Sequence, residues 1–175
     1  MEALHTVRTL RTVADRIDPD FRSAYAWMAR KLAEKVPPPD GVVHPVWAWY
    51  RASGLRKHRP DLRQRWGETG QEMALVEFTL PEEAVLLSDY DTWHFPLNGW
   101  FLGRTEAEQA AFDREEPHLD PLARKTRVEA SWDAVLDGCA LDEDFHGARN
   151  ERRIQAVAWE IPGHRIRSVR RFRSR

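Results

Sequence analysis

Three consecutive prolines, Pro37 to Pro39, separate a helical pattern from a strand pattern in the first third of the chain. Before them, apolar side chains recur at spacings of three and four residues, which is typical of one face of a helix. These side chains are Phe21, Tyr25, Met28, Leu32 and Val36. Because proline cannot donate the helical hydrogen bond, the helix must end at this point. After the prolines, Val42 to Tyr50 is rich in β-branched and aromatic residues, which predicts a strand.

The rest of the chain alternates between strand and helix patterns. Strands are predicted at Met73–Leu80 and Ala84–Leu87, and helices at Thr105–Arg114 and Thr126–Leu136. Two further alternating segments, 154–161 and 165–172, flank the turn signal Pro162-Gly163 and predict a C-terminal β-hairpin. Together these patterns indicate an α+β fold. We expect a single domain over residues 1–175, with a mixed or antiparallel sheet, several helices and the C-terminal hairpin.

The composition sets limits on the class of protein. The chain has 175 residues, and 27 Lys and Arg nearly balance 28 Asp and Glu, for a net charge of −1. No apolar run approaches the roughly 20 residues of a membrane span, and the first residues lack the apolar stretch of a signal peptide. The single cysteine, Cys139, excludes an internal disulfide framework and a multi-thiolate zinc site. We therefore expect a cytoplasmic protein without a membrane partner.

The charges are distributed unevenly along the chain. Residues 51–65 contain six basic residues and one acid, and residues 165–175 contain six arginines and no acid. If these two segments meet on one face, that face attracts phosphate. Arg56, Arg59 and Arg63 are the predicted phosphate-binding residues, because the planar arginine fork binds phosphate through two hydrogen bonds. The alternative is a solvated loop, which is the usual role of a charge run.

The segment Leu86–Asn98 carries the densest set of chemical groups. Asp89, His94 and Asn98 follow an apolar strand, a position where folds of this kind expose working side chains. A carboxylate beside an imidazole fixes the ring's tautomer and raises its basicity, so these three are the predicted catalytic residues. The alternative is that the Ser and Asp residues of this segment cap a helix. The spacing lacks the usual pairs of metal ligands, and no metal site is predicted.

Eight tryptophans form two groups by their context. Trp27, Trp132 and Trp159 lie on or beside predicted core faces and are expected in the core. The others lie near polar or basic residues. Of these, Trp47, Trp49 and Trp93 are predicted to line a ligand cleft, with Trp66 and Trp100 as further candidates. Trp47 and Trp49 share one face of a strand, so core packing is their alternative role.

A second possible site combines His5, Tyr25 and Glu160. Ribosyl-transferring folds commonly place a histidine of the first strand and a tyrosine near a helix start around a nicotinamide, with an acid on a late strand. This is an analogy at the level of fold. Because Tyr25 lies on the apolar stripe of its helix, packing in the core is the alternative.

Several runs in the sequence together resemble a bacterial family known as domain of unknown function 3841. The runs are Tyr25–Met28, Pro45–Trp49, Leu86–Asn98, Ser131–Asp133 and Ile154–Val157. The resemblance covers nearly the whole chain. It implies a small, intracellular, single-domain bacterial protein, and it brings no established activity or functional residue.

The sequence favours a small enzyme that acts on a nucleotide-like or otherwise phosphorylated small molecule. Transfer or hydrolysis at a ribosyl centre, as in ADP-ribosyltransferases, is the expected reaction type. Aromatic side chains would hold the ligand and arginines its phosphate. The alternative is a non-catalytic module that binds RNA or a protein through the same surface. The sequence indicates no particular cofactor and no oligomeric state.

Overall fold

Seven strands and five α-helices make up the part of the chain that the computed structural model describes, residues 9–13, 17–53 and 59–175. The strands are β1 Thr9–Leu10, β2 Val46–Arg51, β3 Glu72–Phe78, β4 Leu86–Asp89, β5 Ile154–Ala158, β6 Ile161–Pro162 and β7 Ile166–Arg173. The helices are α1 Arg22–Lys35, α2 His94–Asn98, α3 Glu106–Glu115, α4 Pro121–Ser131 and α5 Glu143–His146.

Helix α1 begins and ends where its sequence dictates. A short 3-10 turn, Pro19–Phe21, leads into it, and the side chain of Asp18 caps this turn by accepting a hydrogen bond from the Asp20 N–H at 3.0 Å. At the other end the Val36 N–H donates to the Leu32 carbonyl at 2.8 Å. The three prolines then prevent another turn. The helix predicted from the apolar stripe is confirmed.

The main sheet has three antiparallel strands in the order β2-β5-β4. Strand β5 lies in the centre, where Val157 is opposite both Trp47 of β2 and Leu86 of β4. A register shift between Trp49 and Arg51 bends the end of β2.

Two smaller antiparallel pairs accompany the main sheet, β1 with β6 and β3 with β7. Both segments predicted around Pro162-Gly163 contain strands, β5 and β7, and β7 forms a C-terminal strand pair with β3. The two segments do not pair with each other as the predicted hairpin would. Strand β6 and a 3-10 turn at Gly163–Arg165 lie between them and carry the chain from one sheet to the other.

One cluster of buried apolar side chains joins the helices to the main sheet. Helix α1 contributes Trp27, Met28 and Leu32, and Val157 of β5 is fully buried among them. The core positions expected for three tryptophans are confirmed: Trp27, Trp132 and Trp159 are 3%, 3% and 6% exposed. Each of the last two donates its indole N–H to a backbone carbonyl, that of Trp100 or of Val36, at 2.8 Å.

The α+β class is confirmed by this arrangement of helices against small antiparallel sheets. Among the described residues, no helix combines the length and the apolar character that crossing a bilayer requires.

Candidate functional site

One face of the main sheet changes from apolar to polar along the strands. Alternate side chains of a strand share a face, so the buried row Leu86–Val157–Trp47 is followed by the row Ser88–Gln155–Trp49. The backbone pairing continues one step further, where the Tyr90 N–H donates to the Arg153 carbonyl at 2.9 Å. We call the part of this face formed by Trp49, Ser88, Tyr90, Arg153 and Gln155, together with the adjoining His94, the polar end of the sheet.

Three rings form a continuous series at the polar end. The ring centres of Trp49 and Tyr90 are 4.9 Å apart, and those of Tyr90 and His94 are 5.0 Å apart at an interplanar angle of 86°. The Arg153 guanidinium lies 4.3 Å from the centre of the Tyr90 ring, within range of a cation–π interaction. Arg153 also donates hydrogen bonds to both carboxylate oxygens of Asp91, and this hydrogen bonding is the main cause of the raised pKa of Arg153.

His94 is exposed, and its two ring nitrogens have different surroundings. Nδ1 lies 3.1 Å from the Tyr90 carbonyl oxygen and 3.3 Å from that of Asp91. Because a carbonyl can only accept, Nδ1 carries the hydrogen of the neutral ring. The other nitrogen, Nε2, then has a free lone pair, and no described residue hydrogen-bonds to it. The ring therefore presents a base to solvent beside Tyr90.

Asn98 lies on the same helical turn as His94 and contacts its backbone. Its side-chain amide donates to the His94 carbonyl at 2.7 Å. This bond fixes the short helix α2 that carries the imidazole. Asn98 makes no hydrogen bond to the imidazole itself, so the structure places it as a support for the turn.

Asp89 is buried at the end of β4 and faces other partners than His94. One carboxylate oxygen accepts hydrogen bonds from the N–H groups of Asp91 and Thr92, at 2.9 and 3.0 Å. The other lies 3.9 Å from Nε of Arg152, which is also buried. No hydrogen bond joins Asp89 to His94, so the predicted carboxylate–imidazole pair does not form. The capping role, weighed as the alternative, is the one that the geometry displays.

Several buried polar atoms around the polar end lack a hydrogen-bond partner. Ser88 Oγ and Gln155 Oε1 belong to residues directly opposite each other on β4 and β5, and Ser88 is 1% exposed. Thr92 Oγ1, Trp47 Nε1 and Arg51 Nε are in the same condition. A buried polar group left unpaired costs about 1–3 kcal/mol, which makes these atoms candidate hydrogen-bonding groups. They supply hydroxyl, amide-oxygen and N–H groups together.

The predicted ligand-lining tryptophans divide into a surface and a core position. Trp49 is half-buried in the polar end, whereas Trp93 is 4% exposed and packs against Trp47, with the ring centres 4.6 Å apart and the planes tilted by 35°. Tyr25 packs against both Trp47 and Trp93, at 5.8 and 6.2 Å, and burial raises the pKa of its hydroxyl. Trp93 thus supports the polar end from the core side.

The second possible site is only partly within the described residues, because His5 lies outside them. Glu160 forms an ion pair with Arg11 at 2.8 Å. Tyr25 occupies the core position that was its alternative role.

Two of the three predicted phosphate-binding arginines, Arg59 and Arg63, lie near the β3–β7 pair. Arg56 is outside the described residues. Arg59 pairs with Glu77 of β3 at 2.5 Å, and Arg63 pairs with Asp61 at 2.7 Å. The described residues show no hydrogen bond, ion pair or ring contact between either arginine and the polar end. Their role toward phosphate at this site stays a prediction.

The described residues form no metal site at the polar end, and a groove found among them lies on another part of the surface. Among residues 9–13, 17–53 and 59–175, no three His, Cys, Asp or Glu side chains come together as metal ligands. A groove of about 340 Å³ lies elsewhere, lined by Lys31, Glu34, Lys35, Leu86, Asp133 and Leu136. Its charges satisfy each other: Lys31 pairs with Asp133 at 3.0 Å, and Lys35 donates to the carbonyls of Glu82 and Val85.

Tyr90, Arg153 and Gln155 were not among the predicted site residues. A signal for them is present in the sequence, because Ser88 and Tyr90, and likewise Arg153 and Gln155, alternate along strands whose register brings them together. The pairing of β4 with β5 is long-range and could not be derived from the local pattern.

The fold and this surface define a small α+β protein with a half-open aromatic and polar site at one end of an antiparallel sheet. Residues 10–167 match the family model of the domain of unknown function DUF3841, and the chain belongs to this family. No curated protein and no solved structure matches the chain significantly.

Proposed function

We propose that this protein is an enzyme that acts on a nucleotide-like small molecule at the polar end of the sheet. The proposal rests on one observation: the series Trp49–Tyr90–His94 ends in an imidazole nitrogen with a free lone pair, above buried polar atoms without partners. Aromatic faces, unpaired hydrogen-bonding groups and an exposed base are the parts that a nucleotide-processing site needs. A cytoplasmic location, where such molecules are abundant, belongs to the proposal.

The ligand's base would lie against the aromatic series. Base–aromatic stacking contributes about 1–3 kcal/mol per base. Ser88 and Gln155 would then hydrogen-bond to its polar edge, which removes the cost of their unpaired atoms.

His94 would act as general base in hydrolysis or transfer at the ribosyl centre. Its Nε2 takes the proton of the attacking water or hydroxyl group, whose oxygen bonds to the anomeric carbon. The bond from this carbon to the leaving group breaks, and the leaving group keeps the electron pair. Asp89 and Asn98 act as positioning residues, because they hold the turn and the helix that carry the imidazole.

Binding is tested by thermal unfolding with AMP, ADP, NAD⁺ and ribose 5-phosphate. A molecule present at about 100 times its dissociation constant adds about 2.7 kcal/mol to the free energy of unfolding. We expect stabilisation by at least one adenine nucleotide, and its loss in Trp49→Ala. The matched control is Tyr50→Ala, which removes an exposed ring from the neighbouring position of β2. Equal loss in both variants, or no stabilisation by any of the four, contradicts the proposal.

Catalysis is tested on the nucleotide that binds. We expect His94→Ala to retain binding but to lower the rate of glycosidic cleavage by about 100-fold or more, the usual contribution of a general base. His118→Ala, which removes an imidazole outside the polar end, is the control and should retain the wild-type rate. Unchanged turnover in His94→Ala removes the catalytic assignment.

A further inference from the structure

The two-stranded pair β3–β7 concentrates positive charge in a protein that is nearly neutral. Residues 59–79 and 165–175, which contain this pair, hold nine arginines, four acids and no lysine. Their net charge is +5, which leaves −6 on the remainder because the whole chain carries −1. We call β3 and β7 together the arginine ribbon.

Residues 59–65 of the first basic segment and the C-terminal basic segment come together at the arginine ribbon. Arg59 reaches Glu77 of β3, and the Trp66 N–H donates to the Ser174 hydroxyl at 3.2 Å. The Gly70 N–H donates to the Ser174 carbonyl at 2.9 Å. The loop before β3 is therefore fastened to the end of β7. The arginines of residues 59–65 and 165–175 therefore belong to one region of the surface.

Most of these arginines have no acid to neutralise them. Three pair with acids: Arg59 with Glu77, Arg63 with Asp61 and Arg173 with Glu72. The other six have no acidic partner among the described residues, and they are Arg65, Arg165, Arg167, Arg170, Arg171 and Arg175. Guanidinium groups binding phosphate or carboxylate use paired hydrogen bonds, and arginine is the preferred residue for nucleic acid.

One face of the ribbon, which we call its outer face, carries small side chains beside its arginines. Alternation and register place Ala74 opposite Arg171 and Val76 opposite Val169 on this face. Ala74, Val169 and Arg171 are exposed, whereas Met73 and Phe172, paired on the other face, are half-buried. The face thus carries small side chains along β3 and exposed arginines along β7, with Glu72 and Arg173 opposite each other at its end.

We propose that the arginine ribbon binds duplex DNA, with its outer face in the major groove. The major groove of B-form DNA is about 12 Å wide and admits a two-stranded ribbon, whose strands lie about 4.8 Å apart. Strand β7, with eight residues, spans about 26 Å along the groove. Arg167 and Arg171, which are exposed on the outer face along β7, would contact the phosphates. The major groove of duplex RNA is too narrow for such an insertion, which favours DNA over RNA.

The proposal is tested by the salt dependence of binding to a duplex DNA of about 20 base pairs. Each lost phosphate contact lowers the slope of log K against log salt by about 0.9. Arg167→Gln with Arg171→Gln should lower the slope by about two, since both arginines are exposed on the outer face. Arg22→Gln with Arg114→Gln removes two exposed arginines elsewhere and should leave it unchanged.

A gain-of-binding variant guards against loss of fold. Glu72→Gln releases Arg173 from its ion pair at an exposed position, and it should tighten DNA binding and steepen the slope. Equal slopes for the two double variants overturn the proposal. The proposal is also overturned if the protein binds duplex RNA, polyglutamate or anionic lipid vesicles more tightly than it binds DNA. Because the ribbon and the polar end share no residue, His94→Ala should bind DNA as the wild type does.

Discussion

The carboxylate of Asp89 has three partners at the end of β4. It accepts two backbone hydrogen bonds, from Asp91 and Thr92, and faces Arg152 across 3.9 Å in a buried environment. Arg152 in turn donates to the carbonyls of Gly138, Leu141 and Gly147. Through Arg152, Asp89 therefore connects the turn that carries His94 to the loop that follows α4.

Replacement of Asp89 by Asn tests this role. The amide oxygen can still cap the turn, but Arg152 is left as a buried cation without its counter-charge. We expect the free energy of unfolding to fall by about 3 kcal/mol, as for other broken buried pairs. The measurement is urea unfolding, with Asp91→Asn as control: its ion pair with Arg153 is exposed, and the loss there should stay below about 1 kcal/mol. Equal losses would contradict the buried role.

Tyr25 gives the fold a dependence on alkaline pH. Burial raises its pKa above the ordinary value of 10.0, so the folded protein holds the phenolic proton longer than the unfolded chain does. The stabilisation is complete below about pH 10 and is lost as the pH rises beyond it. The pKa of Lys31 is also raised, mainly by its hydrogen bond to Asp133. The ionisation of Lys31 therefore also lowers the stability of the fold as the pH rises.

Tyr25→Phe isolates the contribution of the tyrosine. Urea unfolding at about pH 8 and about pH 10.5 should show a smaller loss of stability for the variant than for the wild type, because Lys31 contributes equally to both. An identical loss in the two proteins would mean that Tyr25 ionises as freely in the folded state as in the unfolded chain.

At the scale of elements, the start of α3 depends on a glycine. Gly103 donates to the Gln109 side chain at 3.1 Å and accepts a hydrogen bond at its carbonyl from His146 of α5 at 2.7 Å, with Nε2 of that ring as the donor. A Cβ at this position would lie 2.6 Å from the backbone nitrogen of Gln109. Any side chain here pushes α3 away from the segment before it.

Gly103→Ala should therefore destabilise the protein by about 2 kcal/mol, within the range for overpacked sites. Gly138→Ala is the matched control, because its added Cβ would meet only the end of the Arg152 side chain, at 3.5 Å. Thermal unfolding of the two variants distinguishes them. A Gly103→Ala protein as stable as Gly138→Ala would show that α3 can shift without cost.

The elements that the sequence predicted well are those with local signals. Helix α1 has a regular apolar stripe and a proline stop, and both were enough. Helix α4 starts at Pro121, earlier than the predicted Thr126, because Asp120 caps it through the N–H groups of Leu122 and Ala123. The partners of β5 and β7 were not predictable, since pairing between distant strands depends on tertiary packing.

At the scale of the whole molecule, the arginine ribbon has a local sequence signal, whereas the polar end depends on long-range strand pairing. The basic segments 51–65 and 165–175 were recognisable from composition, and the sequence left open whether they meet on one face. The polar end was only half recognisable: His94 and Trp49 stand out in the sequence, whereas Arg153 and Gln155 join them through the register of β5. A charged surface can thus be recognised from the sequence more readily than a site whose residues are brought together by strand pairing.

The two surfaces use different parts of the scaffold. The polar end belongs to the main sheet and the core beneath it, and the arginine ribbon belongs to β3 and β7. A protein built in this way can hold a polymer through one sheet while the other binds a small molecule.

The change of sheet after β5 also affects how the chain folds. Every strand pair in the described residues joins distant parts of the sequence, and even the nearest one brings residue 89 to residue 154. Within the part of the chain that the structure describes, no hairpin between these strands is available to begin a sheet locally. The loops must therefore close before any ladder forms, which makes sheet formation slow and leaves the early collapse to α1 and the other helices.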